Sequence, residues 1–285
     1  MDKKQKILLS SLVIFLFHVA ETTGSDTKQE MHFVLVHGSC HGAWSWYKVV
    51  WLLRKSGHRV SAIDLAASGI NPVQVNQIPS ISDYFKPLRD FMASLSPHEK
   101  VVLVGHSFGG LAISQAMENF PEKISVAVFV TAMMPGPALN ISTLSQESFK
   151  GNESLLDSRY TYDNGPNNPA TTFIFGPVYL AKKVYQLSPP EDVALAMTLL
   201  RPLWLYSQEN MAKELVFTTE KYGSVKRVFI VSEKDQVEKK EFQEWMIEKN
   251  PPDEVEQIAG SDHMVMMSRP LELCALLHAI SQKYC

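Results

Sequence analysis

The chain has 285 residues, of which 45% are hydrophobic and 20% charged, with a formal net charge of −3. That length supports one large domain with a sizeable core and room for an inserted subdomain. The weakly acidic balance, without any long basic run, argues against nucleic acid or anionic membrane as a main partner. Three cysteines, Cys40, Cys274 and Cys285, are too few and too scattered for a disulfide framework or a zinc site, and could form one disulfide at most.

The N-terminus differs from the rest. Lys3, Lys4 and Lys6 precede an apolar run from Ile7 to Ala20, and a polar stretch from Glu21 to Glu30 follows. This pattern reads as a secretory signal peptide over residues 1–24, its boundary falling between 20 and 30, because the run is short for a transmembrane helix. The mature domain is then 31–285, secreted and without stable membrane association; an N-terminus that is no functional signal would instead leave the protein cytoplasmic. The acceptor triplets at Asn140 and Asn152 are compatible with secretion.

From His32 onward strands and helices alternate. His32 to Val36 reads as a strand ending in His37-Gly38, Trp44 to Lys55 as a helix closed by Gly57, and Arg59 to Ile63 as the next strand. Ser82 is placed to cap a helix through Leu95, with Pro87 its awkward residue. Lys100 to Val104 is a strand, Phe108 to Asn119 a helix and Ile124 to Val130 a strand. The strands show little alternation, as expected when both faces are buried. Together these elements predict an α/β fold with a mostly parallel sheet covered by helices on both faces.

The rhythm breaks at Pro135-Gly136-Pro137. From about 136 to 205 the chain is richer in Asn, Ser, Pro and Gly, with one clear helix over Val193 to Leu200 behind a capping box of Ser188 and Glu191. A segment this long without structure is unusual in a compact domain, so it reads as an inserted lid. Afterwards the pattern resumes, with strands at Val225 to Val231 and Val255 to Ile258, and helices at Lys239 to Lys249 and Pro270 to Lys283.

Gly105-His106-Ser107-Phe108-Gly109 is a G-x-S-x-G motif standing between a strand and a helix. A sharp strand-to-helix turn lifts a serine hydroxyl above the sheet edge and sets it at a helix N-terminus, which favours developing negative charge. Ser107 is therefore the candidate nucleophile. It needs a base, and the partners of such a serine follow late strands in the order acid, then histidine. Asp235 and His263 satisfy that order, both lying just past strands at the carboxyl end of the sheet. His263 would serve as general base and then acid, with Asp235 fixing its tautomer. Asp262 and Glu233 are weaker candidates for the acid, His98 and His278 fit surface or core roles, and Asp64 reads as a residue that fixes loops.

An oxyanion needs two N–H donors. One is the backbone N–H of Phe108. The other belongs to the loop after the first strand, where Ser39 N–H is the choice because Gly38 allows close approach. His37 and His41 read as loop packing. His32, His37 and His41 lack the acids or thiolates of a metal site, and no metal or cofactor is called for. Cys40 reads as support for the pocket. Phe173, Phe175, Leu187 and Trp204 are the apolar residues of the middle segment suited to wall an acyl pocket.

The run from His32 to Tyr47 (HFVLVHGSCHGAWSWY) resembles the plant methylesterase and hydroxynitrile lyase family of α/β-hydrolases. So do the segments Asp64 to Gly69, Gly105 to Gly110, Gly223 to Arg227 and Asp262 to Met264, and the likeness extends from about His32 to the C-terminus. It implies an α/β-hydrolase core with a lid, a small-molecule ester substrate such as a methyl ester of salicylate, jasmonate or indole-acetate type, and a homodimer as one arrangement. Carried over by motif, Ser107, Asp235 and His263 match the family's triad, and Ser39 and Phe108 its oxyanion donors. Position 39 is often Ala in the esterases, so Ser39 departs mildly from the pattern.

Two other activities follow from the same resemblance and fold. Lyase members split cyanohydrins with the same triad, carrying Thr where this chain has Gly38 and Lys where it has Met264. Gly38 leaves the oxyanion site open and Met264 brings no charge, which favours the esterase. A slow-turnover hormone receptor on an intact triad is the further alternative, by analogy of fold alone.

Overall fold

The computed structural model describes residues 30–150 and 154–285. The signal-peptide expectation for residues 1–24 and the acceptor Asn152 lie outside them. Strand β1 (His32–Val36) is followed by helix α1 (Tyr47–Lys55) and β2 (Arg59–Ile63). Helices α2 (Ile81–Tyr84) and α3 (Lys86–Ser94) precede β3 (Val101–Ser107), α4 (Gly109–Asn119) and β4 (Ile124–Ala132).

The expected helix from Ser82 is two helices. Ser80, not Ser82, caps the first by accepting the Asp83 N–H at 3.0 Å. Pro87 falls in the opening turn of the second, where its missing N–H costs nothing.

After β4 the chain leaves the sheet. This excursion holds helix α5 (Ile141–Lys150), three short strands, β5 (Arg159–Thr161), β6 (Thr172–Ile174) and β7 (Leu203–Trp204), and helices α6 (Pro177–Tyr179), α7 (Pro190–Leu199) and α8 (Gln208–Glu214). The three strands form a small antiparallel sheet. At two or three residues each they carry no readable periodicity. Asn140 is exposed, and its carboxamide oxygen caps α5 by accepting the Thr143 N–H at 2.9 Å.

The expected capping box before α7 does not form. That helix starts at Pro190, and the Ser188 hydroxyl turns instead to Asp262 at 2.8 Å. The chain returns through β8 (Arg227–Ser232), α9 (Lys240–Lys249), β9 (Glu254–Ile258), the short α10 (Val265–Ser268) and α11 (Pro270–Tyr284).

The large sheet has the order β2-β1-β3-β4-β8-β9, with every pairing parallel. Successive residues of a strand face opposite sides, so each strand feeds two cores. Phe33, Leu35, Val102 and Val104 pack with Val49 and Leu53 of α1 and Leu273 and Leu277 of α11. Val34, Val36, Leu103 and Phe129 pack with Met92 of α3, Ile113 of α4 and Met246 of α9. Both faces are covered, which explains the unbroken apolar runs of β1, β3 and β4. The edge strand β9 does alternate, with the exposed Val255 and Gln257 interleaved with the partly buried Glu254 and Glu256. Among the described residues no helix is long and apolar enough to cross a membrane, and Cys40, Cys274 and Cys285 are all free thiols.

Candidate active site

The strand order places β1 between β2 and β3, so the chain winds outward in opposite directions from β1 and β3. Crevices of open parallel sheets form at such a switch point, beyond the carboxyl ends of the strands. The loops after β1, β3, β8 and β9 meet there, and they carry Ser39, Ser107, Asp235 and His263.

Ser107 ends β3 with φ of +53°, a left-handed conformation that a non-glycine residue adopts only under constraint. Its carbonyl accepts the Met133 N–H at 3.0 Å, tying the turn to the end of β4. The turn is crowded on every side. A methyl group on Gly38 would stand 2.8 Å from Ser107 Cβ, and one on Gly109 2.5 Å from the His37 carbonyl oxygen.

His263 Nδ1 meets Asp235 Oδ2 at 2.7 Å, both side chains buried. The other Asp235 oxygen accepts the N–H groups of Val237 and Glu238 at 2.7 and 2.9 Å, and the Thr131 hydroxyl donates to Oδ2 at 2.5 Å. Four donors thus hold one carboxylate, which fixes its plane and leaves His263 with its proton on Nδ1. Burial works to lower the His263 pKa, but the charge and hydrogen bond of Asp235 outweigh it, with Glu238 and Asp262 adding. The imidazole therefore sits above its ordinary value.

Ser39 and Phe108 border the same cavity, and neither N–H has an acceptor among the described residues. His37 and His41 explain the loop. Leu65 N–H donates to His37 Nε2, so His37 Nδ1 carries the proton and donates to the Gly38 carbonyl at 2.8 Å. A trans peptide points its N–H away from its carbonyl, so this bond turns Ser39 N–H the other way. His41 Nδ1 in turn holds the Ser39 carbonyl at 2.7 Å, while the Tyr185 hydroxyl lies 2.7 Å from its Nε2. Burial holds both imidazoles neutral, lowering His41 to about 3.

The cavity has a volume of about 530 Å³. Phe173 and Phe175 line it as expected; Leu187 and Trp204 do not. Leu187 is largely exposed, and in β7 it is Leu203, the neighbour on the opposite side of the strand from Trp204, that faces inward.

The weaker candidates are accounted for. Asp262 accepts from Leu187 N–H and Ser188 Oγ at 2.9 and 2.8 Å, pinning the excursion to the β9 loop. Glu233 accepts the Gly260 N–H at 2.8 Å. Asp64 accepts from Ala43 and Ile70 N–H and so fixes two loops. His278 meets His58 at 3.0 Å, and His98 is exposed and lies away from the cavity. Cys40 is buried beneath the loop, its thiol pushed by burial to about 12. Met264 is fully buried in the core and does not reach the cavity. Among the described residues no group of three or more His, Cys, Asp or Glu side chains is placed to hold a metal ion.

Residues 33–276 match the model of the alpha/beta hydrolase family. The chain belongs to that family. Within it the chain is 57% identical to methyl jasmonate esterase 1 of Vitis vinifera, over 90% of this chain and 99% of the relative. It is 48% identical to methylesterase 3 of Arabidopsis thaliana, over 91% and 99%. Among solved structures, tomato methylketone synthase I complexed with 2-tridecanone superposes with a TM-score of 0.85 at 57% identity, over 90% and 99%. The resemblance to plant methylesterases thus holds along nearly the whole described chain.

Sequence reasoning missed several residues that build this hydrolase's site. His106, the first variable residue of the elbow motif, donates from Nε2 to the His263 carbonyl at 2.7 Å and so draws the β3 and β9 loops together. Thr131 lies one residue past the expected strand Ile124 to Val130 and inside the observed β4. Gln243 donates to the Ser232 and Glu238 carbonyls at 3.1 and 2.6 Å and accepts the Ser232 N–H, clamping the loop that bears Asp235. Gly110 has a role that its place after the motif did hint at. A methyl group there would lie 2.1 Å from the Met133 carbonyl oxygen. Gly110→Ala is expected to cost about 1–3 kcal/mol through this overpacking, read as a lowered thermal midpoint; an unchanged midpoint would contradict it.

Proposed function

We propose that the chain is a serine carboxylesterase that hydrolyses methyl esters of small plant-hormone-type acids through an acyl-enzyme. The observation that carries this reading is the 2.7 Å Asp235–His263 pair, set beside an elbow serine and two N–H groups that have no acceptor among the described residues. The named activities of its methylesterase relatives, one of them a methyl jasmonate esterase, support the substrate class.

In the cycle, Ser107 Oγ attacks the ester carbonyl while His263 Nε2 takes its proton. The carbonyl oxygen gains charge facing the N–H groups of Ser39 and Phe108. His263 then gives its proton to the ester's methoxy oxygen as its bond to the acyl carbon breaks, and methanol departs. A water molecule, deprotonated by His263, attacks the acyl-enzyme and releases the acid. Fixed dipoles aimed at the oxyanion need no reorganisation during the reaction, and Asp235 stabilises the imidazolium that forms twice in each turnover. The excursion from about 136 to 205 supplies Leu155, Phe173, Phe175 and Leu203 to the cavity, consistent with a lid that shapes the acyl site.

The test is a panel of methyl salicylate, methyl jasmonate and methyl indole-acetate, with mandelonitrile and a β-keto acid as controls. Equimolar acid and methanol from at least one ester supports the reading. Aldehyde from mandelonitrile, or a methyl ketone from the β-keto acid, without ester turnover would replace it. The pH profile gives a second check. His263 acts as a base only when neutral, and its pKa is raised, so kcat/KM should fall on the acid side with a midpoint above the ordinary imidazole value of about 6.5. Activity that stays flat down to about pH 5 would remove His263 from the mechanism.

A further inference from the structure

Glu238 is an ionisable residue walling an otherwise largely apolar cavity. It lies three residues beyond Asp235 and borders the cavity with Phe173, Phe175, Leu203 and Leu205. Only 5% of its surface is exposed. Its backbone is committed, the N–H to Asp235 and the carbonyl to Gln243. Its carboxyl group makes no hydrogen bond or ion pair among the described residues, which a largely buried acid tolerates only where the cavity it borders offers a partner. The run from Glu233 to Glu244 is rich in Glu and Lys and reads as a solvated face, so nothing in the sequence marks this glutamate as different.

A ligand that fills the cavity displaces the water around this carboxyl. It must then offer a partner or leave the group unsatisfied, at a cost in affinity. Sites built to hydrogen-bond a substrate reject analogues lacking the partner far more strongly than apolar walls reject an extra methylene. On the esterase reading above, we propose that Glu238 is a specificity-determining residue that hydrogen-bonds a ketone or hydroxyl oxygen of the substrate other than the ester group, and so selects against purely hydrocarbon acyl chains.

The protonation of Glu238 suits this partner. Burial pushes the carboxyl up to about 7, the His263 charge opposing and the Asp235 carboxylate adding. Expelling water on substrate binding favours the neutral acid further, and a neutral acid has an O–H to donate to oxygen. A cationic amine is the poorer fit. It would need a desolvated ion pair in an apolar cavity and would oppose the imidazolium that His263 forms during the reaction.

The experiment separates binding from turnover. Titration calorimetry on the Ser107→Ala protein would compare methyl octanoate with the series of its mono-oxo analogues and with an amine-bearing analogue. At least one oxo ester should bind about tenfold tighter than methyl octanoate. Adding Glu238→Leu should erase that preference, and adding Glu238→Gln, which keeps an N–H donor in place, should retain most of it. With Ser107 present, the kcat/KM ratio of the same ester pair should change in parallel. Equal affinities across the series in Ser107→Ala would overturn the proposal even if the leucine variant does not fold, as would a preference that survives Glu238→Leu. Preferential binding of the amine analogue, lost in Glu238→Gln, would assign a cation partner instead and also overturn it. Oxo-ester preference in binding without hydrolysis by the intact chain would count against the esterase reading and leave the role of Glu238 standing.

Discussion

Ser107→Ala should abolish methyl ester hydrolysis, lowering kcat by roughly a thousandfold or more, while leaving the protein folded. The expectation rests on what the change removes and what it leaves. Among the described residues that line the cavity, Ser107 alone sets a hydroxyl on a backbone with positive φ. Alanine keeps Cβ, which is the atom that packs against Gly38, and it tolerates the same φ of +53° as poorly as serine does, so the backbone energetics change little. The turn is held by the Ser107 carbonyl, bonded to Met133 N–H, and by the close passage of Gly109 beneath the His37 carbonyl. None of these contacts involves the hydroxyl. The thermal midpoint should therefore match the parent's. Steady-state rates on the most active ester of the panel, measured beside a melting curve, decide the matter. Retention of activity within about tenfold would mean that another group carries the reaction.

Legibility in the sequence followed the length scale of each interaction. The strands of the large sheet were readable because burial on both faces leaves a local apolar run, and the elbow because its motif, strand and helix are contiguous. Asp235 and His263 could be chosen because each directly follows a strand, and in a parallel sheet that single fact sends both loops to one end. The members of the constellation that went unread are held by contacts across long sequence separations. His106 reaches His263 across 157 positions, and Thr131 reaches Asp235 across 104; nothing local to a histidine in a glycine-rich turn or a threonine in a valine-rich strand announces either bond. The reading of Ser188 and Glu191 as a capping box failed for the same reason, since a distant carboxylate, Asp262, outcompeted the helix N-terminus for the serine hydroxyl. Hydrophobicity alone suits Trp204 to a cavity wall, while the strand geometry that turns Leu203 inward depends on β6 pairing with β7.

Asp235→Asn should lower kcat/KM at neutral pH by roughly four orders of magnitude, the scale seen when a triad aspartate is made neutral without loss of shape. Two N–H donors, from Val237 and Glu238, face Oδ1 and will hold the asparagine carbonyl oxygen there. The amide nitrogen must then take the place of Oδ2, facing His263 Nδ1 and the Thr131 hydroxyl. An N–H now meets Nδ1, so the imidazole can keep that hydrogen bond only by moving its own proton to Nε2. Nε2 is the atom that has to accept the proton of Ser107, and in this tautomer it cannot. The substitution also removes the charge that raises the His263 pKa, leaving burial, which lowers it, as the largest remaining influence. The acid limb of the pH profile should therefore move to lower pH even as the maximum rate collapses. That pair of changes separates a tautomer defect from misfolding, which would lower the rate without moving the midpoint. A variant with near-parental rate, or a collapsed rate on an unshifted limb, would show that Asp235 does not orient the base.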